Sequence, residues 1–134
     1  MLTPIPVIAV LDDEPEWRKA LRRLLSGRGF RVDEYECGNA FIAALGSQPF
    51  DCLLLDLHMP EGNGFDVLGA LQSRRIQTPV IVITAHDEPG TVERVRSLGS
   101  FAFLKKPVDQ GVLFSAIEAA LKQTFGGFFT RLKP

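Results

Sequence analysis

Four short apolar runs in the sequence each lead into polar residues that could take part in chemistry. These polar residues are Asp12, Asp13, Asp56, Thr84 and Lys106. If the runs are buried strands of one parallel sheet, their carboxyl ends lie along the same edge, where such sheets bind ligands. Three carboxylates, a hydroxyl group and an ammonium group would then share one crevice.

The three carboxylates would repel one another in such a crevice unless a cation offset their charge. At about 4 Å and an effective dielectric constant of about 20, each close pair of like charges costs roughly 4 kcal/mol before relaxation. Asp12, Asp13 and Asp56 offer only oxygen ligands. A small set of oxygens favours Mg2+ with several retained waters over a fully caged Ca2+ or a zinc site of nitrogen and sulfur. The sequence therefore predicts a magnesium site, with Mn2+ as a substitute.

Asp56 is the predicted centre of this arrangement. An aspartate beside a hard dication, a lysine and a threonine can attack a phosphoryl group and hold it as an acyl phosphate. Lys106 would pair with a phosphoryl oxygen, and Thr84 would donate a hydroxyl hydrogen bond. Lys105, one residue away, is expected to point to the opposite face as surface charge.

Several of these residues also have a simpler structural interpretation. Asp12 and Asp13 could cap and charge the first turn of a helix, which is worth about 1 kcal/mol. Glu14 is interpreted as a residue that favours the start of the same helix. Trp17 has two possible roles, as a core-packing residue or as a residue at the crevice. Asp56 fits a structural role least, because an unpaired charge at a buried strand end is costly.

The hydrophobic pattern predicts alternating strands and helices. Strands are predicted at residues 7–11, 30–35, 52–55, 80–83 and 101–104, and helices at about 15–27, 40–45, 65–71, 92–98 and 112–121. Parallel strands joined by helices form right-handed crossovers. The predicted fold is therefore an α/β, doubly wound, five-stranded parallel sheet of order 2-1-3-4-5, flavodoxin-like, with five helices.

Length and composition favour one folded domain. The chain has 134 residues, of which 46% are hydrophobic, and a formal charge of -1. We predict a domain over 1–124 and a tail or start of a linker over 125–134. A near-neutral charge argues against direct binding of nucleic acid, and we expect no membrane contact and a cytoplasmic location. Cys37 and Cys52 lack the spacing of a metal site, and Cys52 is expected to be a buried thiol.

Five short motifs follow one another along the chain. They are Val10-Leu-Asp12-Asp13-Glu-Pro15, Leu54-Leu-Asp56-Leu-His-Met-Pro60, Gly62-Asn-Gly64, Ile83-Thr84-Ala85 and Phe103-Leu-Lys-Lys106-Pro107. Each motif alone is weakly specific. Their combination, over about residues 5 to 122, resembles the receiver domains of two-component response regulators.

The resemblance implies roles for the acidic residues and two histidines. Asp56 would be the phosphoacceptor and Asp13 a direct magnesium ligand. Asp12 would bind the ion directly or through water, and the main-chain carbonyl of His58 would complete the protein's ligands. His58 and His86 each lie two residues after a key site residue, where side chains border the attacking water and affect the lifetime of the acyl phosphate.

The resemblance also implies a switch that reads the modification. Thr84 and Lys106 would contact the phosphoryl group as catalytic and switch residues. Phe103 matches the aromatic side chain that turns inward when the threonine is drawn toward the phosphate. The Lys106-Pro107 peptide would be cis.

The implied function is a phosphorylation-dependent signalling switch without turnover of an external substrate. A sensor histidine kinase or a phosphotransfer protein would donate the phosphoryl group to Asp56. The face formed by helix four, strand five and helix five would then change its affinity for a partner or for another copy of the chain. The effector stays open, as does whether the chain is a single-domain regulator or part of a longer protein.

Three alternatives belong to other functional classes. An aspartyl-phosphate hydrolase of the haloacid-dehalogenase type would have a second acid two residues after its nucleophile, where this chain has His58. A flavodoxin-type module would need a loop of Ser, Thr and Gly after the first strand, where this chain has 11–15, Leu-Asp-Asp-Glu-Pro. The third alternative is a receiver-like interaction module that works without phosphorylation.

Overall fold

The computed structural model describes residues 5–85 and 88–125. In this part of the chain, five strands alternate with five helices. The strands are β1 (Val7–Leu11), β2 (Arg31–Tyr35), β3 (Cys52–Leu55), β4 (Val80–Thr84) and β5 (Ala102–Lys105). The helices are α1 (Pro15–Gly27), α2 (Gly38–Ala44), α3 (Gly64–Ser73), α4 (Thr91–Ser97) and α5 (Gln110–Phe125). Neighbouring strands pair in parallel in the order β2-β1-β3-β4-β5, which confirms the predicted doubly wound sheet.

Alternation of side chains along the strands builds a core on each face of the sheet. Ile8 and Val10 of β1 pack on the face covered by α1 and α5. Ala9 and Leu11 pack on the opposite face, against α2, α3 and α4. The central strands β1, β3 and β4 are almost wholly buried, whereas β2 and β5 are partly exposed edges. Polar strand ends are therefore held on a rigid apolar sheet.

The second helix begins two residues earlier than its apolar pattern predicts. Its first amides, those of Gly38 and Asn39, donate to the carbonyls of Gly62 and Glu61, each at 3.1 Å. Gly62 has a φ of +94°, which favours glycine, and a β-carbon there would lie 2.7 Å from the side-chain oxygen of Asn39. A long-range contact with the loop after β3, rather than local periodicity, sets this boundary.

Helices α1 and α3 begin with recognisable sequence signals. Pro15 starts α1, where its missing amide costs nothing. Asn63 caps α3, because its side-chain oxygen accepts a hydrogen bond from the amide of Asp66 at 3.0 Å. The amide of Asn63 in turn donates to the carboxylate of Asp66 at 3.2 Å. None of the helices in the described part of the chain has the length and hydropathy needed to cross a membrane.

Candidate functional site

Three carboxylates meet at the carboxyl edge of the sheet. Asp12 directly follows β1 and Asp56 directly follows β3, and these two residues are only 3% and 6% exposed. Asp13 is exposed beside them. One carboxylate oxygen from each of the three residues lies within 4.8 Å of the others. The structure therefore brings together the three acids that the sequence analysis assigned to one crevice.

Backbone hydrogen bonds hold the two buried acids in place. The amide of Asp12 donates to the carbonyl of Tyr35 at 3.2 Å, and the amide of Asp56 donates to the carbonyl of Leu11 at 3.0 Å. These bonds extend the ladders one residue beyond β1 and β3. Gly64 brings the start of α3 close behind the site, since a β-carbon there would lie 2.8 Å from the carbonyl oxygen of Asp56.

Lys106 enters the same site from the end of β5. Its amide donates to the carbonyl of Thr84 at 2.9 Å, and the Lys106-Pro107 peptide is cis. The ammonium nitrogen donates to Oδ2 of Asp12 at 2.8 Å and to Oε1 of Glu14 at 3.1 Å. It lies 3.8 Å from Oδ2 of Asp56. The neighbouring Lys105 is exposed, in agreement with its predicted surface position.

Thr84 is fully buried at the end of β4, and its hydroxyl donates a hydrogen bond to the carboxylate of Asp56. The amide of His58 also donates to this carboxylate, to Oδ1 at 3.3 Å. His58 itself is exposed. Asp56 thus already contacts a hydroxyl and an amide, both of which stabilise its charged form.

Burial nevertheless raises the pKa of Asp56 above its usual value, and the charge of Asp12 raises it further. The ammonium of Lys106 and the two hydrogen-bond donors oppose this shift without cancelling it. Burial lowers the pKa of Lys106, but its hydrogen bonds to Asp12 and Glu14, together with the charges of Asp12 and Asp56, outweigh burial, so this pKa is raised. The lysine stays charged, and the site still carries an excess of negative charge.

The donor set fits a hard divalent cation. Asp12, Asp13 and Asp56 offer carboxylate oxygens, the ligands that Mg2+ prefers. Exposure of Asp13 leaves one side of the cluster open to water, and Mg2+ usually retains several waters. A dication here would also offset the charge that raises the pKa of Asp56.

Phe103 lies on the same face of the sheet as Thr84. It pairs in register with Val82 of β4, and Thr84 is two residues farther along that strand. Phe103 is partly buried against the core on the α3 and α4 side. Phe103 and Thr84 are therefore diagonal neighbours on adjacent parallel strands.

Sequence reasoning missed two polar contacts of α1. Glu14 is the N-cap of α1, but its side chain makes no capping bond and pairs with Lys106. Arg18 donates to the main-chain carbonyl of Asp12 at 2.7 Å and lies 3.5 Å from the carboxylate of Glu34. The four-residue spacing of Glu14 and Arg18 places both on one face, but it does not identify their partners, which lie outside the helix.

Two earlier predictions fall outside the described residues. They concern the effect of His86 on the acyl phosphate and the tail after residue 125.

Trp17, for which two roles were open, packs partly buried against the core, with its ring centre 5.1 Å from the ammonium of Lys106. It therefore combines packing with a place at the crevice.

Comparisons with known proteins agree with this geometry. The model of the response regulator receiver domain matches residues 8–118. Response regulator protein PilR of Pseudomonas aeruginosa is 38% identical over 115 residues, which cover 84% of this chain and 25% of PilR. Transcriptional regulatory protein FixJ of Bradyrhizobium diazoefficiens is 34% identical over 117 residues, covering 87% of this chain and 57% of FixJ.

A solved structure gives the same result. The crystal structure of FixJ-N superposes with a TM-score of 0.81 at 31% identity, covering 90% of this chain and 96% of that one. The chain spans only a quarter of PilR and little more than half of FixJ. With the ordered motifs, the sheet order and these matches together, the chain belongs to the response regulator receiver domain family, the signalling domains of two-component systems.

Proposed function

We propose that Asp56 accepts a phosphoryl group in a reaction that requires Mg2+, and that the modified domain acts as a switch. The observation that carries this proposal is the convergence of Asp12, Asp13 and Asp56 within 4.8 Å, with the ammonium of Lys106 3.8 Å from Asp56. Acids that serve only as helix caps would gain nothing from such crowding. With Lys106 on one side and a bound Mg2+ on the other, the carboxylate of Asp56 would have the positive charge that stabilises phosphoryl transfer.

In the proposed reaction, a carboxylate oxygen of Asp56 attacks the phosphorus atom of the donor. The new oxygen-phosphorus bond forms as the bond to the leaving group breaks, and the leaving group departs with that bond's electron pair. Bound Mg2+, held by Asp12, Asp13, Asp56 and the predicted carbonyl of His58, would supply charge neutralisation for the phosphoryl oxygens. Lys106 would pair with one of these oxygens as a point charge.

The proposed switch starts from the hydrogen bond between Thr84 and Asp56. A phosphoryl group on Asp56 offers the hydroxyl a more strongly charged acceptor. Movement of Thr84 toward it would open space along β4, which Phe103 on the same face could enter. The face of α4, β5 and α5 would then change its affinity for an effector or for another copy of the chain.

The partners and the domain boundaries are further parts of this proposal. A sensor histidine kinase or a phosphotransfer protein would donate the phosphoryl group, and the protein would work in the cytoplasm. Residues 1–124 would form the receiver domain and 125–134 a tail or linker. His58 and His86 would modulate the lifetime of the acyl phosphate. The domain would assist its own phosphorylation and dephosphorylation without turning over an external substrate.

Intact-mass measurement tests the proposal. The chain is incubated with acetyl phosphate and Mg2+, and we expect a gain of about 80 Da, the mass of one phosphoryl group. Asp56→Asn and a chelator should each prevent the gain. Asp51→Asn is a matched control, because Asp51 precedes the same strand that Asp56 follows and should be modified like the wild type.

Each outcome has a distinct meaning. Loss of the gain in Asp56→Asn but not in Asp51→Asn supports transfer to Asp56. A wild-type protein that stays unmodified in Mg2+ would contradict the proposal and favour an interaction module that works without phosphorylation. Continued modification of Asp56→Asn would place the acceptor elsewhere.

A further inference from the structure

We infer that Glu14 is a positioning residue that restrains Lys106 in the unphosphorylated domain and thereby slows phosphoryl transfer to Asp56. This inference rests on the proposed function, since it concerns the rate of that reaction. Glu14 occupies no predicted catalytic or metal-binding position. Its carboxylate nevertheless binds the only ammonium group found in the described part of the site.

The local backbone directs Glu14 toward the lysine. The amide of Glu14 donates to Oδ1 of Asp12 at 2.9 Å, while Oδ2 of Asp12 accepts from Lys106 at 2.8 Å. The side chain of Glu14 is not used as a helix cap and reaches Lys106 at 3.1 Å. Asp12, Glu14 and Lys106 thus form a closed set of hydrogen bonds at the start of α1.

This set holds the ammonium closer to Asp12 and Glu14 than to the phosphoacceptor. Lys106 makes hydrogen bonds to Asp12 and Glu14, whereas its 3.8 Å separation from Asp56 is too long for one. The ring of Trp17, 5.1 Å away, adds a cation-π attraction on the side of α1. To pair with a phosphoryl oxygen on Asp56, the ammonium must exchange one of its present bonds for the new one, and its attraction to Glu14 opposes that exchange.

Exposure sets the size of the effect. The side chain of Glu14 is 65% exposed and that of Lys106 is 13% exposed, so water and salt screen their attraction. Ion pairs with an exposed partner are modest, and breaking this one should speed phosphoryl transfer about two- to fivefold at low salt. The gain should fall below about 1.5-fold near 1 M salt, where the screening length is about 3 Å.

Glu16 offers a matched control for charge alone. It is exposed in the first turn of α1, two residues after Glu14. Glu14→Gln and Glu16→Gln remove the same charge from the same end of the helix. A general weakening of repulsion toward the anionic donor would affect both variants similarly, whereas release of Lys106 affects only Glu14→Gln.

The rates of modification by acetyl phosphate in Mg2+ are compared for the wild type and the two variants at low and high salt. We expect acceleration in Glu14→Gln alone, and its loss at high salt. In a Lys106→Ala background, Glu14→Gln should have no effect, because no ammonium remains to be released. Equal rates for wild type and Glu14→Gln, or equal acceleration by both single variants, would overturn the inference.

A second measurement does not depend on phosphorylation. The five lysines are labelled with 13C at the ε-carbon, and the Lys106 signal is assigned by its absence in Lys106→Arg. We expect Glu14→Gln to shift this signal and Glu16→Gln to leave it in place. An unmoved signal in Glu14→Gln would overturn the inference even if the wild type is never phosphorylated. Failure of the proposed function alone would appear as an unmodified wild type with a shifted signal.

Discussion

Two aspartates at opposite ends of β3 have opposite relations to the fold. Asp51 precedes the strand, and its Oδ2 accepts a hydrogen bond from the amide of Val7 at 2.7 Å, while its carbonyl accepts from the hydroxyl of Thr124 at 3.1 Å. Asp56 follows the strand and is buried beside Asp12. Asp51 thus links β1, β3 and α5 at the amino edge of the sheet, whereas Asp56 adds a second negative charge beside Asp12 at the carboxyl edge.

The difference shows that residue type alone does not decide what a carboxylate does. At the amino edge, the carboxylate of Asp51 accepts a hydrogen bond from a neutral donor, the amide of Val7. At the carboxyl edge, burial and the charge of Asp12 raise the pKa of Asp56 despite three stabilising neighbours. Such an unrelieved cost persists in proteins mostly where function requires it.

The largest expected effect that separates the two aspartates is stabilisation by Mg2+. An ion that binds only the folded state at about 100 times its dissociation constant stabilises by about 2.7 kcal/mol. Thermal unfolding in Mg2+ against chelator should show this gain in the wild type and in Asp51→Asn. Asp56→Asn should lose most of it. Choline chloride at equal ionic strength controls for screening, and equal gains in all three proteins would contradict the ligand role of Asp56.

The contrast between the two edges also shows what sequence can predict. Apolar runs predicted the strands because burial on both faces leaves few polar positions, and the geometry of parallel sheets then placed Asp12, Asp56, Thr84 and Lys106 at one edge. The contact of Glu14 with Lys106 was missed, because it depends on a turn closed by Asp12 and on side-chain directions that no periodicity records.

Other misses have the same physical origin. The early start of α2 depends on carbonyls of Glu61 and Gly62, more than twenty residues away, and the bond from Arg18 to Asp12 depends on the placement of α1 over the sheet. Sequence periodicity reflects interactions between residues that are close along the chain. It therefore does not reveal helix boundaries and contacts that depend on distant residues. The amino-edge bond of Asp51 to Val7 is of the same kind.

Without metal, substitutions of the two aspartates should change stability in opposite directions. Asp51→Ala removes the acceptor for the amide of Val7 and should lower the free energy of unfolding by about 1–2 kcal/mol. Asp56→Asn removes a buried like charge and should raise it by about 0.5–2 kcal/mol. Urea unfolding in chelator measures both, and Asp51→Asn, which keeps an acceptor oxygen, is the control. A loss of stability in both Asp51→Ala and Asp56→Asn would contradict the expected difference between a stabilising Asp51 and a destabilising Asp56.

The gain in the free energy of unfolding that we expect from Asp56→Asn should depend on pH. Because the pKa of Asp56 is raised in the folded state above its usual 3.8, the folded state binds a proton first as the pH falls. Wild-type stability therefore gains from this group as the pH falls through the folded pKa, and loses it again as the pH rises. The difference between Asp56→Asn and wild type in metal-free buffer should be full at neutral pH and shrink in acid. A difference that grows in acid would mean that the folded state favours the charged carboxylate.

The smallest effect is expected at Thr124, where α5 contacts the amino edge. Its hydroxyl donates to the carbonyl of Asp51 at 3.1 Å from an exposed position, so water can replace much of the bond. Thr124→Val keeps the shape and should lower the free energy of unfolding by about 0.5 kcal/mol, the low end for a hydrogen bond. Thr124→Ser, which keeps the hydroxyl, should lose less. Because Thr124 belongs to the structural edge, neither substitution should change the rate of phosphoryl acceptance. A changed rate would mean that the two ends of β3 are coupled, and that the amino edge contributes to the switch.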